Sequence, residues 1–324
     1  FFIREGAHAF DDFPRFGRHR FAAAKFAAFI ARAARPCFAL FIFASQHATC
    51  ERTPRNHTKA ISLGHWQKFA LDATVKLLDY YNDWFDTPYP LPKLDLIAGP
   101  GRSQFFAAME NWGAIFYFDY AILIDPKLST ETDRQQVFVT VAHEGAHQWF
   151  GNLVTMSWWD DLWLNESFAS WMENKATDHF HPEWNIWLST QAGQQGAMRL
   201  DSRSGTHPVH TDIPDVFAAA NAFHAITYQK GQAVIRMLEA YVGEDEFRNG
   251  VRAYIKKHAY GNTVSDDLWA ALDAAAPGKT ASQVAHDFVM QPGVPLVRAN
   301  VAPGGVTLTQ DRVGADPSQR TPQT

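Results

Sequence analysis

His143, Glu144 and His147 stand in the order His-Glu-Gly-Ala-His. On a helix this spacing puts both imidazoles on one face, a turn apart, where they can hold one ion. Neutral imidazoles suit Zn²⁺ at about 2.0–2.1 Å, and a catalytic zinc site needs a third protein ligand and a position left open for water. Chance would supply roughly 0.02 such matches in a chain of this composition. With only Cys37 and Cys50 present, a cysteine-rich zinc finger, an iron–sulfur centre and a disulfide scaffold are excluded, and the third ligand must be a His or a carboxylate. Glu166, in Trp163-Leu164-Asn165-Glu166-Ser167-Phe168, lies in the next expected helix, beyond a turn through residues 151–161. Two packed helices would bring its carboxylate to the ion. Glu144, beside His143 but on another side of the helix, is then the natural general base for an activated water. The bland alternatives are a surface histidine pair on an amphipathic helix and two solvated glutamates.

The elements that must position these groups follow from spacing. From Gly64 on, Trp66, Phe69, Ala70, Ala73, Leu77, Tyr81, Trp84 and Phe85 recur every three or four residues, one face of a helix. Thr87-Pro88-Tyr89-Pro90-Leu91-Pro92 is an extended connection, because each proline moves its predecessor out of the α region. Short β-type runs follow at residues 94–98, 114–118 and 121–124. A helix capped by Thr132 runs to about Phe150 and ends at Gly151-Asn152. Further helices are expected at 162–180, 183–200, 222–241, 244–260, 266–275 (capped by Ser265) and 281–290. Two strand-like pieces follow at 295–301 and 306–309. Strands, then many helices, then the beginning of something β-like make an α+β arrangement.

The chain has 324 residues, 46% hydrophobic and 19% charged, ordinary globular usage and enough for a sizeable core. Residues 1–60 hold 10 Lys/Arg against 4 Asp/Glu, and the remainder 19 against 30. An acidic body argues against a nucleic-acid binder. Residues 1–60 carry 11 of the 25 Phe without sustained periodicity, and no element is assigned to them. No stretch of 18 apolar residues exists, so no transmembrane helix is expected. The apolar run 37–44 after a basic region resembles a signal-peptide core but starts far from residue 1, and no signal peptide is expected there.

The strings His-Gln-Trp-Phe-Gly-Asn-Leu-Val-Thr (147–155) and Trp-Trp-Asp-Asp-Leu-Trp-Leu-Asn-Glu (158–166) resemble the M1 family of zinc aminopeptidases. The spacing of 18 residues between His147 and Glu166 looks like the gluzincin pattern. Ala107-Ala108-Met109-Glu110-Asn111 is similar to that family's exopeptidase motif, and Ile226-Thr227-Tyr228-Gln229-Lys230-Gly231 to its catalytic-tyrosine segment. The resemblance covers about residues 61–300. It implies a thermolysin-like catalytic domain at 61–291, a small β-containing lobe followed by a mostly helical one. Residues 292–324 would be the truncated start of a β-sandwich domain or a tail, and residues 1–60 do not resemble the family's N-terminal domain.

The resemblance further implies one Zn²⁺ per chain on His143, His147 and Glu166, with Glu144 as general base and Tyr228 as donor to the developing oxyanion. Residues Ala107, Ala108, Met109, Glu110 and Asn111 would bind substrate, with Glu110 holding a free α-ammonium. Taken alone, Tyr228 reads as a helix-core tyrosine and Glu110-Asn111 as a polar turn. Asp160 and Asp161 are expected either to accept from the ligand imidazoles or to sit at a helix N-terminus. His207-Pro208 resembles a family loop and is assigned no role. His179, His181, His224, His258 and His286 read as surface or satisfied structural residues. Three places depart from the family pattern. Ala107 and Ser167 stand where Gly is usual. Gly145 replaces a large apolar residue inside the metal helix, which costs up to about 1 kcal/mol in helix propensity and loses packing. The function implied is hydrolysis of the N-terminal peptide bond of peptides with a free N-terminus. The rivals are a zinc endopeptidase on the same core and an inactive peptide-binding module. A soluble protein is expected, with cytoplasmic and periplasmic or secreted locations both open, as is the oligomeric state.

Overall fold

The computed structural model describes residues 45–48, 64–103 and 106–314. The reading of residues 1–60 therefore lies outside the described residues save for one strand, as does the end of the tail. Strand β1 (Ser45–Ala48) is the edge of a four-stranded sheet completed by β2 (Leu94–Gly99), β3 (Ala108–Met109) and β4 (Ala114–Phe118), in the order β1-β2-β4-β3. β2 and β4 are parallel, pairing Asp95 with Ala114 and Gly99 with Phe118, while β3 runs antiparallel to β4 through Ala108–Tyr117 and Met109–Phe116. Residues 121–124, expected as a strand, instead follow the 3-10 turn Asp119–Ala121, because the Ile122 and Leu123 amides turn back to the Asp119 carbonyl.

Helix α1 (Lys68–Phe85) buries Ala70, Ala73, Leu77, Leu78, Tyr81, Trp84 and Phe85 and ends at Asp86 in the left-handed region (φ 47°), while Trp66, expected on the same face, lies in the preceding 3-10 turn and is exposed. Helix α2 (Glu131–Ala146) carries the histidine motif. Thr130 caps it rather than Thr132. Its hydroxyl accepts from the Asp133 amide at 3.2 Å, and Asp133 Oδ2 accepts from the Thr130 amide at 2.7 Å, which closes a reciprocal capping box. The short strand β5 (Val154–Met156) follows.

Helix α3 (Trp163–Phe180) packs against α2 and is buried nearly all round, with Trp163, Ala169, Trp171, Met172 and Ala176 at 0% exposure. Such a helix has no solvent face to advertise and sits where the core is thickest. Phe150 and Phe168 stack at 4.0 Å between centroids, fixing the end of the histidine segment to α3.

The helix expected at 183–200 is broken. Asn185 adopts φ 48°, splitting a 3-10 turn (Pro182–Trp184) from α4 (Ile186–Ser189) and α5 (Gln191–Asp201). The helix expected at 222–241 is likewise three pieces: a 3-10 turn (Ala218–Ala222), a π-helical segment (Ile226–Lys230) and α6 (Gly231–Val242). α7 (Glu244–His258), α8 (Ser265–Ala275) and α9 (Ala281–Val289) match their expected positions within about two residues, though Val264 rather than Ser265 stands at the cap of α8. β6 (Gly261–Thr263) lies parallel to β5, a pair that three-residue strands do not announce in sequence. The last pieces form an antiparallel hairpin, β7 (Val294–Ala302) and β8 (Gly305–Val313).

Gly145 has a packing partner after all. A Cβ there would come 3.2 Å from Cε2 of Tyr81, whose hydroxyl donates to the Ala142 carbonyl at 2.8 Å. The aromatic ring of α1 thus takes the space a side chain would fill. A small cavity of 10 Å³, lined by Gly145, Tyr81, Tyr117 and Val141 among others, remains beside it.

Candidate metal centre and its surroundings

His143 and Glu144 occupy the last turn of α2, His147 its C-terminal cap and Glu166 the first turn of α3. The two Nε2 atoms stand 3.1 Å apart, and Glu166 Oε2 lies 3.5 Å from the first and 3.4 Å from the second. Donors about 2.1 Å from one tetrahedral ion would be about 3.4 Å from each other, so the three atoms already have the separations of a coordination face. The partners of the other ring nitrogens set the tautomers to match. His143 Nδ1 donates to Glu173 Oε2 at 2.6 Å and His147 Nδ1 to the Phe150 carbonyl at 2.9 Å. Each Nε2 therefore presents a lone pair to the same point as a carboxylate oxygen, and three converging acceptors need a cation.

The electrostatics report that need as an appetite for protons. Burial works to lower the His143 pKa, yet Glu173 and Glu166 hold it well above the usual imidazole range. His147, also buried, is pushed up to about 9 by Glu110 and Glu166. Glu166 is held far below the usual carboxylate range against its burial, by His147 and then His143.

Glu144 differs from all three. It is 6% exposed, and its Oε2 has no hydrogen-bond partner among the described residues. Burial raises its pKa to about 8, opposed by His143 and assisted by Glu110. A buried carboxylate with a free oxygen beside a set of ligand atoms has the affinity for a proton that a general base requires.

Tyr228 lies on the π-helical segment with its ring 6.3 Å from that of His143 and nearly parallel to it. Burial first, then Glu166, Glu110 and Glu144, push its pKa well above the usual phenol range, so it remains a hydrogen-bond donor. Glu110 follows β3, and its charge raises the pKa of His147, Glu144 and Tyr228. Its backbone is clamped, because Gln148 Nε2 (3.2 Å) and Asn152 Nδ2 (2.8 Å) both donate to its carbonyl. Ala107 accepts from the Phe118 amide, Ala108 is buried, and Asn111 is exposed, turning the chain toward β4.

Asp160 and Asp161 do not support the ligand imidazoles. Asp160 accepts from the Ile213 amide at 2.5 Å, and Asp161 meets Ser265 and, at 3.0 Å, His210. The residue that does the work is Glu173, which sequence reasoning missed. It stands seven residues after Glu166, two turns along the same helix, and that spacing was the available signal. Removing such a supporting carboxylate costs about 10–100-fold in metal affinity. Glu173→Gln is expected to weaken zinc binding by that factor in a competition titration with a chromophoric chelator. An unchanged affinity would leave Glu173 without a role at the ion. Ser167 also acquires a contact, its hydroxyl donating to the Thr227 carbonyl at 2.5 Å just before Tyr228.

Two imidazoles and a carboxylate on packed helices, with a free buried glutamate between them, make this a centre of the metallopeptidase kind. The chain belongs to peptidase family M1: the model of the peptidase family M1 domain matches residues 69–288. Aminopeptidase M1-C of Oryza sativa subsp. japonica is 44% identical over 245 residues, 76% of this chain and 28% of that protein. Aminopeptidase M1 of Arabidopsis thaliana shows the same identity over 245 residues, with the same shares of each chain. Aminopeptidase N of Lactococcus lactis subsp. cremoris is 43% identical over 244 residues, 75% of this chain and 28% of that protein. The chain spans about 28% of the length of these curated relatives. Among the described residues, no helix is long and apolar enough to cross a membrane.

Proposed function

We propose that the chain carries the thermolysin-like catalytic domain of a zinc aminopeptidase at residues 61–291, with residues 292–324 as the start of a β-sandwich domain or a tail. The observation that carries this reading is the convergence of His143 Nε2, His147 Nε2 and Glu166 Oε2 beside the unpartnered Glu144 Oε2. These three residues would hold one Zn²⁺. A bound zinc ion supplies Lewis acidity, polarising a carbonyl and bringing the pKa of a water to about 7.

The protein's own groups do the rest. Glu144 takes the proton of the attacking water and passes it to the leaving amine, and its buried, unpartnered Oε2 is the atom that would receive it. Tyr228 donates to the oxyanion as charge develops there. Glu110 accepts the substrate's α-ammonium, fixing which peptide bond meets Glu144, while Ala107, Ala108, Met109 and Asn111 shape the strand and turn that present it. The aminopeptidase names of the relatives and the charge of Glu110 within the site both support an exopeptidase over an endopeptidase.

The test is hydrolysis of free against N-acetylated aminoacyl amides by zinc-loaded protein. Acetylation removes the ammonium and leaves the Glu110 charge unpaired, at a cost of about 3–5 kcal/mol, or roughly 10²–10⁴ in kcat/KM. Equal cleavage of the two would make the protein an endopeptidase, and cleavage of neither a binding module.

A further inference from the structure

The π-helical segment that carries Tyr228 (Ile226–Lys230) starts two residues after His224, with Ala225 as its cap, and the first amides of a helical segment have no partner within it. His224 supplies partners for two of them. Its Nδ1 accepts from the Ile226 amide at 3.0 Å, and its carbonyl accepts from the Tyr228 amide at 3.1 Å. Nδ1 can accept only if it carries no hydrogen, so the proton of neutral His224 is on Nε2. That Nε2 faces Nε2 of His207. His207 in turn donates from Nδ1 to the Pro208 carbonyl at 2.7 Å, which leaves its Nε2 bare to accept. The chain of donors therefore runs one way, from His224 through His207 to the Pro208 carbonyl, and fixes both tautomers.

A metal ion between the two rings does not fit this arrangement. It would need Nε2 bare on both, which would turn the Nδ1 hydrogen of His224 against the Ile226 N–H. A second proton fits no better, since two N–H groups would then face each other. In keeping with this, burial and then His207 lower the His224 pKa to about 4. The pair is a neutral clamp.

We infer that His224, oriented by His207, is a positioning residue that sets the Tyr228 hydroxyl for the reaction, its imidazole capping the π-helical segment at the Ile226 amide. This rests on the reading of Tyr228 as the oxyanion donor. From its other side the segment is held by Ser167, donating to the Thr227 carbonyl, and by Thr227, whose hydroxyl donates to the Ala222 carbonyl at 2.6 Å. Loss of the imidazole therefore loosens the segment without removing its remaining ties.

Four variants of the full chain decide the matter: His224→Ala, His224→Asn, His207→Ala and Tyr228→Phe, with the His224→Ala/Tyr228→Phe double. An asparagine amide oxygen can accept from an amide two residues on, as in an Asx turn. His224→Ala is expected to lower kcat about tenfold with KM within about twofold, small misplacement of a catalytic group being costly. His224→Asn should recover most of that loss, and His207→Ala should fall between the two. In the Tyr228→Phe background, His224→Ala should cost nothing more. Amide hydrogen exchange at Ile226 should accelerate in His224→Ala and return toward wild type in His224→Asn. Normal kcat in His224→Ala alongside a large loss in Tyr228→Phe overturns the inference, as does an additive double variant. If Tyr228→Phe itself keeps its kcat, the oxyanion reading is what fails. Exchange then judges the clamp alone, and an unaltered rate at Ile226 would overturn it.

Discussion

Glu166→Ala protein is expected to carry no stoichiometric zinc and to hydrolyse nothing. Three protein ligands are the minimum for a catalytic zinc site, and Glu166 Oε2 stands within 3.5 Å of both imidazole nitrogens. Its loss must exceed the roughly 100-fold penalty of removing a group that only supports a ligand. Metal analysis after gel filtration gives the answer, and one zinc per chain in this variant would remove Glu166 from the ligand set.

Protein stripped of metal by a chelator should become less stable as pH rises from about 6.5 to 9. His147 has a folded pKa of about 9 against about 6.5 unfolded. The stability its proton contributes is complete below the unfolded value and is lost as pH climbs through the folded one. Glu144, raised to about 8 from 4.5, adds to the loss with the same sign. One equivalent of zinc replaces the proton on the imidazole and should flatten the decline. Melting temperatures at pH 6 and pH 9, with and without zinc, test this. Parallel curves would place the protons elsewhere.

Glu144→Gln should keep both fold and zinc while losing about 10²–10⁴ in kcat, the usual share of a positioned general base. The substitution preserves shape and touches no ligand atom, and the carboxylate oxygen it alters has no hydrogen-bond partner among the described residues. Zinc content equal to wild type with turnover within a few-fold would mean that the base lies elsewhere.

Much of the centre was legible because its logic is local. Two histidines a helical turn apart, a glutamate between them, and Glu166 at the start of the next helix are positions that periodicity fixes. Glu173 was not singled out, since a glutamate on a helix is ordinarily solvated. Only burial of α3 on all sides turns it inward to His143. Of the two readings of Asp160 and Asp161, support for the imidazoles fails and a place at a helix N-terminus holds. They are close to Glu166 in sequence, yet the 3-10 turn Trp159–Asp161 aims them at Ile213, His210 and Ser265. The breaks at Asn185 and before Ile226 were hidden because the apolar spacing continues across them. In both cases backbone geometry, a left-handed residue and a π turn, overrides a pattern that reads as one helix. The departures at Gly145 and Ser167 became intelligible only with their partners, Tyr81 and Thr227.

The two amide side chains on the Glu110 carbonyl carry a last consequence. Gln148, at the end of the metal helix, and Asn152, in the turn beyond it, hold the anchor strand in the same frame as the ligand histidines. On the proposed reading, the interval between amine anchor and reacting carbonyl is then a gauge one residue long. An α-amino acid spans it with one carbon, and a β-amino acid, longer by a methylene, would carry its carbonyl past the mark. Each cleavage leaves a new amine at the head of a shorter peptide that fits the same gauge. Degradation would therefore advance in single steps until it meets a residue whose backbone has the wrong length.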